Sequence, residues 1–420
     1  MSSVLLVGDD GSRTSADMGT GACIARTIRF RNALISHGFD VSVCSPREGK
    51  AGVSEVRGFL ARGLFDCIVA ISPFPAEAVI GADPELPLWI DMNGMHPAEH
   101  QLESNPDGRS GERMLRILSL ENMLLSRGDA FSTPSGRQTY AVCGELLLLG
   151  RNISSDNSQL MVFPIPHCSN EVENFSSEPD EVIRIISTGS FNLWFDEVML
   201  FNALEQAMDY NSSIHFEAAG GKVPSSPEKY DYFCEMVAAS RFRDRFLLHG
   251  WVSTEELNKI YSRASIATYT DIISPETLLG ARTRVLDWVS RGIPVVCTEG
   301  AEISEDIRRH NLGVVVPSGD SESLANAFIA LAEDSALAES VKHSQKEWCE
   351  TIGSSSHVFV PLIRWCNDPA RLAGGILGTP TVPPMNSFQY LKRLFVELSR
   401  SKGRGYAIKR LLRRIFRSLK

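Results

Sequence analysis

The sequence predicts an α/β protein made of two doubly wound, Rossmann-like domains in series. Three observations predict it. Short apolar runs without polar alternation recur along the chain and are separated by helix-period segments, the pattern of buried parallel strands covered on both faces. That pattern stops in a polar, Ser/Asn/Pro-rich stretch at 150–180. It then starts again with the same grammar.

In the first half the expected strands are Val4–Gly8, Val41–Cys44, Cys67–Ile71, Leu88–Met92, Ala130–Thr133 and Met161–Ile165. Helical periodicity fills Ala22–His37, Val53–Gly63, Met114–Ser126 and Arg137–Leu148. In the second half the strands are Ile183–Ser187, Ile214–Ala218, Phe246–Leu248, Ile266–Tyr269, Ile293–Cys297 and Val314–Val316. Helices are expected over Asp196–Met208, Lys229–Ser240, Thr254–Arg263, Arg282–Arg291, Ile303–His310, Ser321–Glu333 and Ala336–Glu350. Ser253-Thr-Glu-Glu256 has the form of a capping box. The resulting division is 1–170 for the first domain, 171–368 for the second, 369–387 for a Gly/Pro-rich linker and 388–420 for a tail.

Composition bounds the class. Of 420 residues, 43% are hydrophobic and 22% charged, which is globular and excludes a disordered chain. No run of apolar residues is long enough to span a membrane. Met1–Gly8 reads as a first strand, not as a signal peptide. Nine scattered cysteines with no CxxC pair argue against zinc and fit a reducing, cytoplasmic setting. The net charge of −9 is uneven: residues 388–420 carry eleven Lys/Arg and one Glu, hence +10, leaving −19 on the rest. In Ala407–Leu419 the apolar residues share one helical side and the basic ones lie around the other. That pattern predicts an anionic membrane surface as partner, and peripheral attachment at the inner face, ahead of nucleic acid, which is not expected.

The richest stretch for chemistry is Asp271–Thr298. It contains a loop ending at Gly280, a helix start carrying Arg282 and Arg284, then Asp287 and Gly292-Ile-Pro-Val-Val296. Free N–H groups at a helix start and two guanidiniums suit a diphosphate. A carboxylate further along, Asp287, suits ribose hydroxyls. Gly280 is expected to let the backbone approach a ligand closely.

This stretch resembles the donor region of GT-B glycosyltransferases, above all the retaining glycosyltransferase family 4. Asp287 stands where that family has the second of two acids before Gly-x-Pro-Val-Val. The first would fall at Leu279, and Glu276 is the nearest substitute. Glu276 with Arg282-Thr-Arg-Val-Leu-Asp287 also resembles a related branch of the family. Ile185–Trp194 resembles the strand and loop opening the donor domain, with Gly189 and Asn192 beside the donor. The family's phosphate-binding Arg and Lys are absent there, since Ser190 and Phe195 stand near those places. Leu248–Ala264 resembles the segment bordering the base, which puts Trp251 and Val252 next to it. Asn311–Pro317 resembles the late strand after the site.

In the first domain, Leu88–His100 ends a strand in polar residues, and Asp91, His96, Glu99 and His100 are candidates to face the cleft. The resemblance implies His96 near the donor sugar. Gly19-Thr20-Gly21 belongs to a glycine-rich loop of the kind that covers phosphates and acceptor, and Arg137, with Ser135 and Gln138, lies at an acceptor-side strand-to-helix junction.

The resemblance thus implies a GT-B fold with domains facing across a cleft, a nucleoside-diphosphate sugar donor and retained configuration. His96 and Glu276 are implied at the reacting centre, and Asp91, at the end of its strand, is expected to join them there. No Asp-x-Asp occurs in a metal-site setting, so neither metal nor cofactor is expected. The acceptor is not named by any motif, and the basic tail points to one that is lipid-linked or a growing surface polysaccharide. Two rivals share the fold: a nucleotide-sugar 2-epimerase, and a non-catalytic partner subunit that binds nucleotide sugars. A dinucleotide dehydrogenase is not expected, because no Gly-x-Gly-x-x-Gly follows the first strand in register.

Overall fold

The structure, a computed structural model, describes residues 2–12, 21–103, 110–151, 161–167, 182–223, 226–352 and 355–371. Gly19, Thr20 and the tail at 388–420 lie outside the described residues, as does the linker beyond 371.

The first domain runs β1 (Ser3–Val7), α1 (Ala22–Ser36), β2 (Asp40–Cys44), α2 (Lys50–Leu60), β3 (Cys67–Ile71), α3 (Pro73–Ala82), β4 (Leu88–Asp91), α4 (His96–Gln101), α5 (Ser110–Arg127), β5 (Ala130–Thr133), α6 (Gly136–Leu148) and β6 (Val162–Pro164). The second opens with β7 (Ile183–Ser190), α7 (Glu197–Tyr210), β8 (Ile214–Gly221), α8 (Pro227–Ala239), β9 (Phe246–Gly250), α9 (Thr254–Ser262) and β10 (Ile266–Tyr269). It continues with α10 (Pro275–Leu279), α11 (Thr283–Ser290), β11 (Val295–Thr298), α12 (Glu302–Arg309), β12 (Gly313–Val316), α13 (Ser321–Glu333) and α14 (Ser335–Glu350). Two short helices follow, α15 (Ser355–Val358) and α16 (Val360–Asn367).

Each domain holds one six-stranded sheet, ordered β2-β1-β3-β4-β5-β6 and β12-β11-β10-β7-β8-β9. Every strand pairs in parallel with its neighbours. Strand order therefore reverses between β1 and β3 in one sheet and between β7 and β10 in the other. Crevices for ligands form beyond the carboxyl ends of strands at such points. All twelve expected strands are present, with ends moved by a few residues. The central strands are buried on both faces, as Cys67–Ile71 shows by being wholly buried, because helices cover both sides of each sheet.

Three helices depart from the expected pattern. α3 begins Pro73-Phe-Pro75, and its run of apolar residues has no polar face to mark a helical period. Proline is tolerated in a first turn, where its missing N–H has no partner to lose. α4 and α10 are single turns after strands, each with proline near its start. The Ser253 cap forms as expected, its hydroxyl accepting from Glu256 N at 3.3 Å.

The chain does not end in the second domain. Phe359, Leu362 and Cys366 are buried in one core cluster with Val4, Phe30, Val69 and Trp89 of the first domain. Phe30 meets Phe359 edge-on at 5.1 Å, and Trp89 meets Trp365 at 5.5 Å. The expected span 171–368 thus needs correction at its end: the last helices return to the first sheet, whose outer face would otherwise expose these aromatic side chains.

The N-terminus of α6 ties the two domains together. Glu302 of α12 accepts from Gly136 N at 2.9 Å and Arg137 N at 2.7 Å. Ser135 Oγ donates to Leu279 O at 2.7 Å. Arg137 donates to Gly300 O at 2.5 Å and Leu278 O at 3.2 Å, and pairs with Glu305. No helix among the described residues is long and apolar enough to cross a membrane.

Candidate active site

Between the domains lies a cleft of ≈ 440 Å³, within the size range of small-molecule sites. It opens beyond the strand ends of both sheets. Two helix N-termini face it from opposite domains. Gly21–Cys23 begin α1, Thr283 and Arg284 begin α11, and neither start is capped by a side chain. Helix starts that no side chain among the described residues caps, with their positive ends, therefore converge on one space.

The floor on the second-domain side is built by glycine. β7 and β8 run together through Gly189 and Gly220, at φ 93° and 128°. A Cβ on Gly220 would lie 2.1 Å from Gly189 O, so these strand ends meet this closely because Gly220 lacks a side chain. The guanidinium of Arg284 packs onto this spot, 3.2 Å from where a Gly189 Cβ would stand. One of its nitrogens, Nη2, donates to Ser190 O at 3.3 Å. Burial lowers the pKa of Arg284, with Asp271 acting in the other direction. α11 is fixed against β7 by the bond from Trp288 Nε1 to Thr188 Oγ1, 3.1 Å.

Arg282 is held differently from the sequence expectation. It is 6% exposed, with Nε 2.5 Å from Asp271 Oδ2 and Nη1 and Nη2 at 3.1 and 2.9 Å from the two oxygens of Glu276. Trp194 covers it, 5.2 Å from ring centre to guanidinium. Burial disfavours its charge, but Asp271 and Glu276 outweigh that and raise its pKa. Each of its three nitrogens is bonded to a carboxylate, which leaves Arg284 as the guanidinium on the glycine floor. Arg282 instead orients Glu276, a carboxyl whose pKa burial raises against the pull of this guanidinium. Gly280 also serves Glu276. A Cβ there would lie 2.4 Å from Glu276 Oε1, and φ is −74°, so the glycine clears space for the carboxylate rather than for a ligand.

Of the other expected residues, His96, Asn192, Trp251, Val252, Asp287 and Gly21 line the same cleft, as do Gly189, Glu276, Gly280, Arg282 and Arg284. Burial lowers the pKa of His96, which keeps the imidazole neutral near pH 7. Asp287, on α11, lies 3.7 Å from Arg29 of α1 across the domain boundary. Trp251 is 41% exposed at the rim.

Five expected residues, Asp91, His100, Ser135, Arg137 and Gln138, do not line the cleft. Asp91 is fully buried: Arg26 grips both its oxygens at 2.5 and 2.7 Å, and Ser132 Oγ donates at 2.5 Å. It holds α1 to the sheet, which places Gly21–Cys23, and it does not face the reacting space. Arg137 belongs to the domain tie described above, not to an acceptor surface. His100 is also buried, bonded to Glu103 and Ser110 O.

Three further residues shape the cleft, of which Glu99 was a sequence candidate and Asn93 and Tyr261 were not. Glu99, one turn along α4 from His96, feels Arg282 electrostatically, though burial raises its pKa overall. Asn93 follows β4, and Tyr261, bonded to Thr188 at 3.3 Å, closes the wall beside Val252. Asn93 stands in the same polar run as Glu99, with no pattern of its own to distinguish it. Tyr261 sits on an ordinary amphipathic helix and no local pattern marks it.

Comparison with known proteins agrees with this geometry. Residues 183–334 match the family model described as Glycosyl transferases group 1. The whole chain is similar in structure to sucrose-phosphate synthase from Thermosynechococcus elongatus, with TM-score 0.66 and 15% identity over 87% of this chain and 98% of that one. It is similar to Anabaena HepE in complex with UDP and glucose, with TM-score 0.60 and 14% identity over 88% and 100%. It is also similar to an alpha,alpha-trehalose-phosphate synthase (UDP-forming) from Burkholderia xenovorans in complex with glucose-6-phosphate, with TM-score 0.56 and 14% identity over 75% and 78%. No curated protein matches the sequence itself. These relationships favour transfer over the epimerase and non-catalytic readings. Residues 183–334 thus form a glycosyl transferases group 1 domain, in a chain whose two-domain architecture over nearly its whole length is the GT-B fold.

Proposed function

We propose that the cleft binds a nucleoside-diphosphate sugar and transfers its sugar to an acceptor presented by the first domain. The observation that carries this reading is the convergence of two uncapped helix starts and Arg284 on the glycine floor at Gly189 and Gly220. A pyrophosphate there meets N–H donors and a fixed cation in a water-poor setting, which is where such groups act most strongly on developing negative charge. The HepE structure, which holds UDP and glucose, supports a uridine nucleotide as the first donor to try.

In this reading Trp251, Val252 and Tyr261 flank the base, Asp287 accepts from the ribose, and Asn192 lies along the diphosphate. Glu276 accepts from hydroxyls of the donor sugar, its orientation held by Arg282. His96, neutral and on the acceptor side, accepts a hydrogen bond from a donor-sugar or acceptor hydroxyl. The leaving diphosphate is stabilised by Arg284 and the two helix ends, so the reaction needs no metal. By analogy with the retaining glycosyltransferase family 4, the sugar keeps its anomeric configuration. The basic tail, +10 over 388–420, would bring the enzyme to an anionic inner membrane surface and to a lipid-linked or polysaccharide acceptor.

The test is a thermal-shift screen of UDP, GDP and ADP, followed by product analysis with the matching sugar nucleotides. A ligand that binds the native state raises the melting temperature by mass action. If none of the three diphosphates stabilises the full chain, the donor reading fails.

A further inference from the structure

A smaller cavity, of ≈ 150 Å³, lies at the turn from Gly280 to Thr283, and the same turn lines the cleft. Three parts of the chain enclose it. Ser135 and His167 belong to the first domain, Ile303 and Trp348 to the second, and Val358 to the stretch that returns to the first sheet. Pro134, Pro166 and Leu286 add apolar surface, and Ile352 in the lining is 57% exposed. A cavity of about this size accepts one benzene-sized ring.

Two side chains in its wall hold N–H groups without an acceptor. Trp348 Nε1 is buried and has no hydrogen-bond partner among the described residues, and the same is true of His167 Nε2. The tautomer of His167 follows from its other nitrogen. Nδ1 lies 3.3 Å from Arg29 Nη1, and an arginine only donates, so Nδ1 accepts. Burial, then Arg26 and Arg29, hold this imidazole well below its usual pKa, so it is neutral and carries its proton on Nε2. Buried polar atoms are almost always paired, and these two donors call for an oxygen that the protein does not supply.

The ionisable groups of the wall are His167, Arg282, Glu302 and Asp306. Arg282 is held between Asp271 and Glu276. Glu302 accepts two backbone N–H groups at the positive start of α6. Asp306 is half-buried. Burial raises its pKa, Glu302 and Glu305 add to the rise, and His310 and Arg309 oppose it. An anion in the cavity would sit beside Glu302 and Asp306. A cation would give up its hydration for carboxylates that already have partners or cations near them. An uncharged polar group loses least on entering.

Resting on the reading of the cleft as the donor site, we infer that this cavity is an effector site for a small uncharged molecule with a ring-sized apolar body and a carboxamide-like head, and that filling it favours donor binding. The oxygen of the head accepts from Trp348 and His167, and its N–H donates to Asp306. The body packs on Ile303, Ile352 and Val358. Such a ligand touches both domains at the turn that opens α11. Its contacts are complete only while the domains are together, and the same arrangement assembles the cleft.

Benzamide, benzoate and benzylamine share one ring and differ in charge, which makes them the probes. Saturation-transfer NMR on the full chain measures their binding, with and without saturating UDP. Benzamide is expected to bind, and the two ions to bind at least about fivefold more weakly. Ile303→Trp fills the cavity and should abolish benzamide binding. Trp348→Phe keeps an aromatic ring without the N–H and should weaken it by about fivefold. Neither residue lines the cleft, so UDP affinity measured without benzamide should stay within about twofold in both variants. Saturating benzamide should tighten UDP binding by about fivefold, and UDP should tighten benzamide binding by the same factor. The inference is overturned by no benzamide binding, by either ion binding more tightly, by binding unchanged in both variants, by displacement of benzamide by UDP, or by a UDP affinity that benzamide leaves unaltered. If UDP, GDP and ADP all fail to bind while benzamide still depends on Ile303 and Trp348, the donor reading falls and the site stands.

Discussion

Arg282 binds Asp271 and Glu276 at the same time, with Nε 2.5 Å from one carboxylate and Nη2 2.9 Å from the other. All three side chains are nearly out of contact with solvent. The two acids face the same guanidinium from positions 11 and 6 residues away along the chain. Their mutual repulsion is cancelled only while it is there. This arrangement makes Arg282 a positioning residue for Glu276 and leaves Arg284 as the cation on the glycine floor.

Replacing Arg282 should therefore harm both fold and function. Arg282→Ala leaves two buried carboxyls without their counter-charge, and breaking such a group typically costs about 3–5 kcal/mol. The second domain should melt several degrees lower. Adding Asp271→Asn should recover part of that loss, because one of the two opposed charges is then gone. Calorimetry of the single and double variants measures both effects. Equal melting temperatures for Arg282→Ala and the parent would show that the network contributes nothing.

Arg284→Ala is expected to behave in the opposite way. Arg284 touches Ser190 O and packs on Gly189, but no carboxylate depends on it in the same manner. Its loss should leave the melting temperature within a few degrees and weaken UDP binding by about tenfold or more, which is about 1.4 kcal/mol. Titration calorimetry of the two variants side by side separates the positioning arginine from the binding one.

Glu121 should make stability fall as pH rises. Its carboxyl goes from an ordinary value near 4.5 in the unfolded chain to about 8 in the folded one. The folded state therefore holds the proton more tightly, and its advantage is complete below pH 4.5 and lost as pH rises through about 8. Glu121→Gln removes this titration. Its melting temperature should exceed that of the parent at pH 8 to 9 and converge with it near pH 4.5. The same gap at both pH values would show that Glu121 does not titrate in this way.

The tie between the domains can be cut at one residue. Glu302 receives two backbone N–H groups at the start of α6, at 2.9 and 2.7 Å. Glu302→Ala removes both acceptors, a loss of about 1–2 kcal/mol by analogy with helix caps. The domains should separate more freely, seen as a larger radius of gyration by X-ray scattering, with UDP affinity reduced a few-fold. Saturating UDP should restore part of the compactness.

Chelation gives a simpler check. Arg284 and the two helix starts supply the positive charge in the proposed mechanism, so transfer rates should be the same with excess EDTA as without it. A loss of activity on chelation, restored by a divalent cation, would require a metal in the mechanism.

The sequence by itself determined the secondary structure and the order of the two sheets' building blocks. Runs such as Cys67–Ile71 and Val295–Thr298 are apolar on both faces, and that is a local property of the chain. The stretch from Glu276 to Asp287 was also recognisable, because helix starts and charged side chains at close spacing leave a local trace. Tertiary structure alone decided which charge meets which. Arg26 finds Asp91 across 65 residues, and so removes an acid that otherwise looked catalytic. Arg137 turns to carbonyls of the opposite domain, and Phe359 returns to the first sheet. Pairings of this kind depend on which elements are packed side by side, and on which carboxylates are too buried to stand without a cation. Neither condition is written in the spacing of residues along the chain.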